Sequence, residues 1–334
     1  MRKAFNSFVI FGFAATAGFF ALAAIVGFLG FALWPFDVFN HLQPIWLAGG
    51  ILCLLIAPFI LRRQPIRGFV IALSATGFLA STSIVLPEYL AGVRQVTPDV
   101  DTDKSLRLMT FNIFAKNDDL NALALSVLEV DPDIVVFQEF WRWHRAGLEE
   151  RLTETYPYTL HCQGGRRSFI ALYAKFPFAP QPGNDCMDSL AANQRTSIIS
   201  VKFPATETHE SFNVVTTHFD WPIPIARQRQ QVDTFITALQ QVEGPMLVAG
   251  DFNSTPYSYS LKGLIERASL RRIAKGIPTW PAPPTYPIPM PAWLQLDQLM
   301  SRGDVVATPA RRGPSGGSDH FPLYTDFIVQ SSNE

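Results

Sequence analysis

Three long apolar stretches without charge open the chain. No charged residue stands between Lys3 and Asp37, from Gln43 to Leu61, or from Gly68 to Leu86. A helix of about 20 residues crosses a hydrocarbon core of about 30 Å. The pattern therefore predicts three transmembrane helices, over about 5–33, 44–61 and 68–87. One such run could be a buried helix of a large soluble protein, but three within the first 90 residues argue against that. The first run also exceeds the roughly 7–15 apolar residues of a signal peptide, so an uncleaved anchor is expected. Gly12, Gly18, Gly27 and Gly30 lie in that run, where small residues let helices approach closely.

Beyond Glu88 the pattern changes. Glu88 to Ser105 is polar and reads as a linker, which sets an anchor over 1–90, a linker over 91–104 and a soluble domain over 105–330. Short apolar runs separated by Gly, Pro, Asn and Asp predict strands at Leu106–Ile113, Ile134–Gln138, Phe169–Tyr173, Ser197–Phe203, Phe212–Thr217, Met246–Ala249, Leu294–Met300 and Leu323–Val329. Apolar positions at helical spacing predict helices at Leu120–Val130, Ile225–Val242 and Ser258–Ala268. Thr279 to Pro291 is rich in Pro and aromatic residues and reads as an ordered surface loop near a site. Mixed helices and hairpin-like strands indicate an α/β sandwich, although periodicity does not fix strand order.

Charge orients the anchor. Arg2 and Lys3 precede the first span, and Arg62, Arg63 and Arg67 separate the second from the third, whereas Trp34 to Gln43 holds no Lys or Arg. The positive-inside bias then puts the N-terminus in the cytoplasm and the chain after Pro87 outside it, in the periplasm if the membrane is a bacterial inner membrane. Cys53 sits in a predicted span as a small apolar filler. Cys162 and Cys186 are the only cysteines of the soluble part; an oxidising compartment would allow a disulfide between them, and two separate thiols fit equally well. Residues 91–334 hold 22 basic and 26 acidic side chains. A domain near −4 lacks the basic footprint of a protein that tracks long nucleic acid.

Polar groups stand at the predicted strand ends, Asn112, Glu139, His218 and Asp251 with Asn253, while Asp297 lies within Leu-Gln-Leu-Asp-Gln-Leu and Asp319 with His320 precedes the final strand. Singly, each is an ordinary turn former or solvated side chain. Together they suit phosphoester hydrolysis, because hard oxygen ligands such as Glu139, Asp319 and the Asn112 amide favour Mg²⁺ or Mn²⁺. Asp251 could orient and deprotonate a water, an imidazole could donate to phosphoryl oxygens, and Asp297 could hold His320 charged.

The segments Thr110-Phe-Asn-Ile113, Phe137-Gln-Glu139, Thr217-His218, Gly250-Asp-Phe-Asn-Ser-Thr-Pro256, Leu296-Asp297 and Ser318-Asp-His320 occur in the order seen in the endonuclease/exonuclease/phosphatase superfamily. The chain resembles that family, in its membrane-anchored bacterial branch, over about residues 105–328. The resemblance implies a four-layered α/β sandwich, two packed, mostly antiparallel mixed sheets flanked by helices, preceded here by the three membrane helices. It implies Glu139, Asn112 and Asp319 as metal ligands, Asp251 aligning the water and Asn253 contacting the phosphate. His218 and His320 would stabilise the transition state, with Asp297 paired to His320. Arg195 lies where relatives often approach the phosphate, and a surface charge explains it equally well.

The implied activity is metal-dependent hydrolysis of a phosphoester by a tethered domain, with a lipid head group, a nucleotide or a short nucleic acid as substrate and the lipid bilayer as partner. The alternative is a non-catalytic membrane-anchored binding module that keeps the sandwich; loss of a metal ligand would mark it, and none is lost. A transporter is disfavoured because the spans carry no charge to line a pathway.

Overall fold

The computed structural model describes residues 2–98, 100, 104–162, 169–181, 196–283 and 290–330. Arg195 and Cys186 lie outside the described residues, as does part of the Pro-rich loop. The chain folds as two units: Met1–Ala91 with Pro256–Lys262, and Gly92–Thr255 with Gly263–Glu334.

The first unit contains α1 (Arg2–Phe28), a 3-10 segment Trp34–Leu42, α2 (Gln43–Ile60) and α3 (Arg67–Val93). Its three long helical stretches are apolar enough to cross a membrane by length and composition. Their outward faces are apolar as well, with Phe11, Phe59 and Phe69 all more than 70% exposed, which suits hydrocarbon and not water. Ala17, Cys53, Ala57, Leu61 and Val70 pack inside. The third helix continues through Pro87 to Val93, past the expected end. Of the four glycines singled out for packing, Gly12 and Gly18 face open space, while Gly30 lies against the backbone of Asp37. Gly77 instead supplies a helix approach, since a Cβ there would sit 2.6 Å from the Ala21 Cα.

The second unit runs β1 (Leu106–Asn112), α4 (Leu120–Val130), β2 (Ile134–Gln138), α5 (Arg142–Leu152), β3 (Tyr158–Cys162), β4 (Ile170–Ala174), β5 (Ala179–Pro180), β6 (Ile198–Phe203) and β7 (Phe212–His218). It continues through α6 (Ile225–Gln240), β8 (Met246–Asp251), α7 (Tyr259–Arg267), whose first turn belongs to the other unit, and β9 (Arg271–Arg272). The last strands are β10 (Asp297–Arg302), β11 (Val305–Ala307), β12 (Arg311–Arg312) and β13 (Leu323–Val329). One sheet has the order β11-β13-β1-β2-β4-β3, with β12 also on β13, and the other β5-β6-β7-β8-β10-β9.

Alternation along the strands makes the layers. Leu108, Ile134 and Val136 face Ile199, Val214 and Leu247 of the other sheet in one core. Their neighbours Met109, Val135 and Phe137 point the opposite way, onto Leu123 and Val127 of α4 and Leu148 of α5. On the second sheet's outer face, Phe235 of α6 packs against Phe219 and Phe252. The result is the four-layered sandwich.

Each sheet has one parallel pair at its centre, β1 with β2 and β7 with β8, and the remaining pairs are antiparallel. Parallel neighbours need a helical crossover, which α4 and α6 supply. Four strands therefore end together at one edge of the sandwich. The antiparallel partners β10 and β13 begin at that same edge, with Asp297 opposite Asp251 and Leu323 opposite Thr110. The sequence reading did not include α5, β3 or the short edge strands. In α5 only Leu148, Leu152 and His144 are buried, too narrow a stripe to register as an apolar period.

His144 is fully buried and ties loops to that edge. Its Nδ1 accepts from Trp141 N (3.1 Å) and its Nε2 meets Asn117 O at 3.0 Å, which assigns the proton to Nε2. Burial lowers its pKa to about 4, against the opposing pull of the Asn117 carbonyl and Glu139. His161 is likewise lowered to about 4, by burial and then by Arg145. Folding holds both neutral, so their contribution is complete above pH 6.5 and is lost as the pH falls towards 4. The melting temperature should drop across that window, and His144→Gln should flatten the slope. A melting temperature constant from pH 6.5 to 4 would show that neither ring is held neutral.

Candidate active site

The shared strand edge gathers seven of the eight residues expected for catalysis and metal binding into one network, and places the eighth, Glu139, on the adjoining loop. Asp251, 1% exposed, ends β8 and is its hub. Its Oδ2 accepts from Asn112 Nδ2 at 2.9 Å and lies 3.5 Å from His218 Nε2 and 4.0 Å from His320 Nε2. Its Oδ1 accepts from Asn253 N at 2.8 Å, and Asn253 Nδ2 in turn donates to Phe219 O at 2.8 Å. Gly250 makes this possible: its φ is +155°, and a Cβ there would collide with the Thr217 backbone oxygen. The Gly-Asp-Phe-Asn motif thus opens with the one residue that lets β8 meet β7 so closely.

Asp297 and His320 form a second pair, with His320 Nδ1 2.8 Å from Asp297 Oδ2. Burial alone would lower the His320 pKa, but Asp297, Asp251 and Asp319 outweigh it and lift the imidazole to about 10. The surrounding carboxylates thus favour the charged form of His320, whose Nε2 is turned towards Asp251. Burial pushes the Asp251 carboxyl up, and Asp297 adds to this; His320, His218 and the Asn253 N–H pull the other way. Asp319 is also raised, first by burial, with the carboxylates of Glu139 and Asp251 adding repulsion.

Glu139 follows β2 with φ +58°, and its Oε2 accepts from Ala115 N at 2.7 Å. A carboxylate residue held in the left-handed region is uncommon and is strained unless its surroundings demand it. Ser318 ties the loop before β13 to the end of β1, donating to Asn112 O (2.7 Å) and accepting from His320 N (3.1 Å).

Further residues support the site. Gln228 Nε2 reaches Asp220 O, Phe252 O and Asn253 O at 3.0–3.3 Å, while Gln231 accepts from Asp220 N at 2.7 Å. These two glutamines, one turn apart on α6, lock the loops after His218 and Asp251. Thr279 Oγ1 accepts from Leu296 N and Asp297 N (3.2 and 3.4 Å), and Trp280 Nε1 donates to Asp319 Oδ2 at 3.2 Å. Only the Pro-rich, aromatic composition of that loop hinted at a role.

The donor set fits a divalent cation. Asp251, Asp297 and Asp319 are buried and Glu139 half-buried, and like charges so close need a cation or protons to balance them. Asp297 Oδ1 has no hydrogen-bond partner among the described residues. Asp251, Asp297 and His320 offer ligand atoms within 4.8 Å of one another. In that triad His320 Nδ1 is taken up by Asp297 at 2.8 Å, and Nε2 lies 4.0 Å from Asp251 Oδ2.

Comparison with known proteins agrees with this geometry. The model of the Endonuclease/Exonuclease/phosphatase family matches residues 109–320. A member of that family from Bacteroides vulgatus superposes with a TM-score of 0.56 and 18% identity, over 68% of this chain and 99% of that one. The corresponding values for one from Beutenbergia cavernae are 0.53, 18%, 68% and 72%. For TDP2 from D. rerio, in complex with a single-strand DNA product, they are 0.51, 12%, 67% and 99%. No curated protein matches the chain. The family includes phosphodiesterases, nucleases and phosphatases. Fold and motif set agree, and the chain belongs to the endonuclease/exonuclease/phosphatase family.

Proposed function

We propose that this protein is a membrane-tethered, divalent-metal-dependent phosphodiesterase whose soluble unit lies outside the cytoplasm. The observation that carries the reading is the hub at Asp251, where one buried carboxylate meets Asn112, Asn253 and two imidazoles. Asp251 receives the proton of the attacking water, its basicity kept up by burial and by Asp297. His320, held charged by Asp297, donates through Nε2 to a phosphoryl oxygen as negative charge develops there. His218 and the Asn253 amide bind the same phosphate from β7 and the β8 loop. Glu139, Asp319 and Asn112 would hold Mg²⁺ or Mn²⁺, which when bound supplies charge stabilisation at the phosphoryl and leaving oxygens.

The rim of the site bears on substrate. Trp141, two residues after Glu139, stacks on Phe169 (centroids 4.3 Å apart) and is 43% exposed, and Trp221, three residues after His218, is 52% exposed. Exposed aromatic faces beside a phosphate site suit a phosphodiester that carries an apolar or aromatic group. A lipid head group or a nucleotide meets that description, and the net negative domain disfavours long duplex nucleic acid.

The test is hydrolysis of bis-p-nitrophenyl phosphate by the detergent-solubilised chain, with Mg²⁺ or Mn²⁺ and then EDTA. Turnover should require the metal and disappear in His320→Ala. Mg²⁺ binding without diester turnover would favour a monoesterase. A folded chain that neither binds Mg²⁺ nor turns over would favour a binding module.

A further inference from the structure

The loop that carries Asp251 and Asn253 runs directly into Pro256–Lys262, and that stretch folds with the anchor unit. Its anchor there is Asp37, in the 3-10 segment that joins the first two long helices. The Asp37 side chain is 7% exposed, and its two oxygens accept the backbone N–H groups of Tyr259 and Ser260, each at 2.8 Å. These are the first two N–H groups of α7, which no intrahelical acceptor can reach. Ser258 Oγ takes the next, from Leu261, at 3.1 Å. An acceptor on Asp37 thus completes an N-terminal cap from 222 residues away, and a carboxylate at that helix end also meets the positive pole of the peptide dipoles.

Asp37 is itself fixed. Asn40 Nδ2 donates to Asp37 Oδ1 (2.8 Å), Gln43 Nε2 to Asn40 Oδ1 (2.9 Å), and Ser81 Oγ of α3 to Gln43 Oε1 (2.6 Å). Gly30 gives the segment room, since a Cβ there would lie 2.9 Å from the Asp37 backbone. The Tyr259 hydroxyl donates to Phe28 O at 3.2 Å. A relay of buried polar groups therefore runs from α3 to the first turn of α7.

We propose that Asp37 is a positioning residue for the Asp251–Thr255 loop, so that the anchor sets part of the site's geometry as well as its location. The proposal rests on the hydrolase reading. Removing the carboxylate leaves two N–H groups of α7 without acceptors, the first turn frays, and the loop three residues upstream loses its downstream tether. Small misplacements of reacting groups are costly in rate.

The test uses the full chain in lipid nanodiscs, as wild type, Asp37→Asn and Asp37→Ala, with bis-p-nitrophenyl phosphate and Mg²⁺. Asp37→Ala should lower kcat about tenfold with KM within about twofold, and Asp37→Asn, which keeps one acceptor oxygen, should restore part of the loss. Amide hydrogen exchange should quicken at residues 259–262 and leave the strands of both sheets unchanged. Faster exchange at those amides with an unaltered kcat would overturn the positioning role. Unaltered exchange would overturn the cap itself. Should Asp37→Ala fail to fold, Asp37→Asn carries both readouts. A wild type without turnover would refute the phosphodiesterase reading instead, and the exchange pattern would then decide the cap alone.

Discussion

Asp251→Asn should lower kcat for a phosphodiester about 10³-fold, the middle of the range for loss of a general base. An amide is nearly isosteric with the carboxylate and can still accept from Asn112 or from Asn253 N, so the loops need not move. It cannot take a proton, and it no longer balances the charge on His320. KM for an anionic substrate should stay level or fall, because a negative charge leaves the site while both imidazoles remain. Thermal stability without metal should be unchanged or higher, since Asp251 is fully buried beside Asp297 and burying like charges together costs stability. Lost turnover with retained or raised stability is the signature of a group kept for function. Steady-state kinetics and a melting curve check both halves. A kcat within tenfold of wild type would remove Asp251 as the base.

Glu139→Ala carries the second large effect, on metal binding. Turnover should fall by at least about 10³-fold, and the rise in melting temperature that Mg²⁺ gives the wild type should vanish, because a ligand stabilises only the fold that binds it. Without metal the variant should melt close to wild type. Its side chain loses the bond from Ala115 N, but the repulsion it exerts on Asp319 goes too. The backbone at φ +58° stays strained with Ala in place, so no stabilisation is expected from that source. A Mg²⁺-dependent melting shift equal to wild type would take Glu139 out of the metal site, whatever the activity.

Most site residues could be found in the chain itself because they sit where a strand stops. A β-branched run such as Ile134–Phe137 is legible by its apolar content, and the polar residue that ends it is therefore legible too. The same holds for Val-Val-Thr-Thr before His218 and Leu-Val-Ala-Gly before Asp251. The supporting residues were hidden for the converse reason. Gln228, Gln231 and Trp280 belong to a helix and a loop, and their partners lie 8 to 39 residues away. Composition at those positions is unremarkable until the chain is folded. Asp37 was visible only as the charge that ended an apolar run.

By itself the sequence determined the three apolar helices, most strands of the sandwich, the order of the motifs and the residue types a phosphoester site needs. These follow from local patterns, because burial repeats every second residue in a strand and every third or fourth in a helix. Tertiary structure alone decided that both parallel pairs end at one edge, that Asp251 became the hub, and that Asp297 raises His320 to about 10. It also decided that Asp37, between the first two long helices, accepts the first two N–H groups of α7. Each of these depends on groups far apart in the chain meeting out of water, where distance and burial, and not residue type, set the strength of a charge.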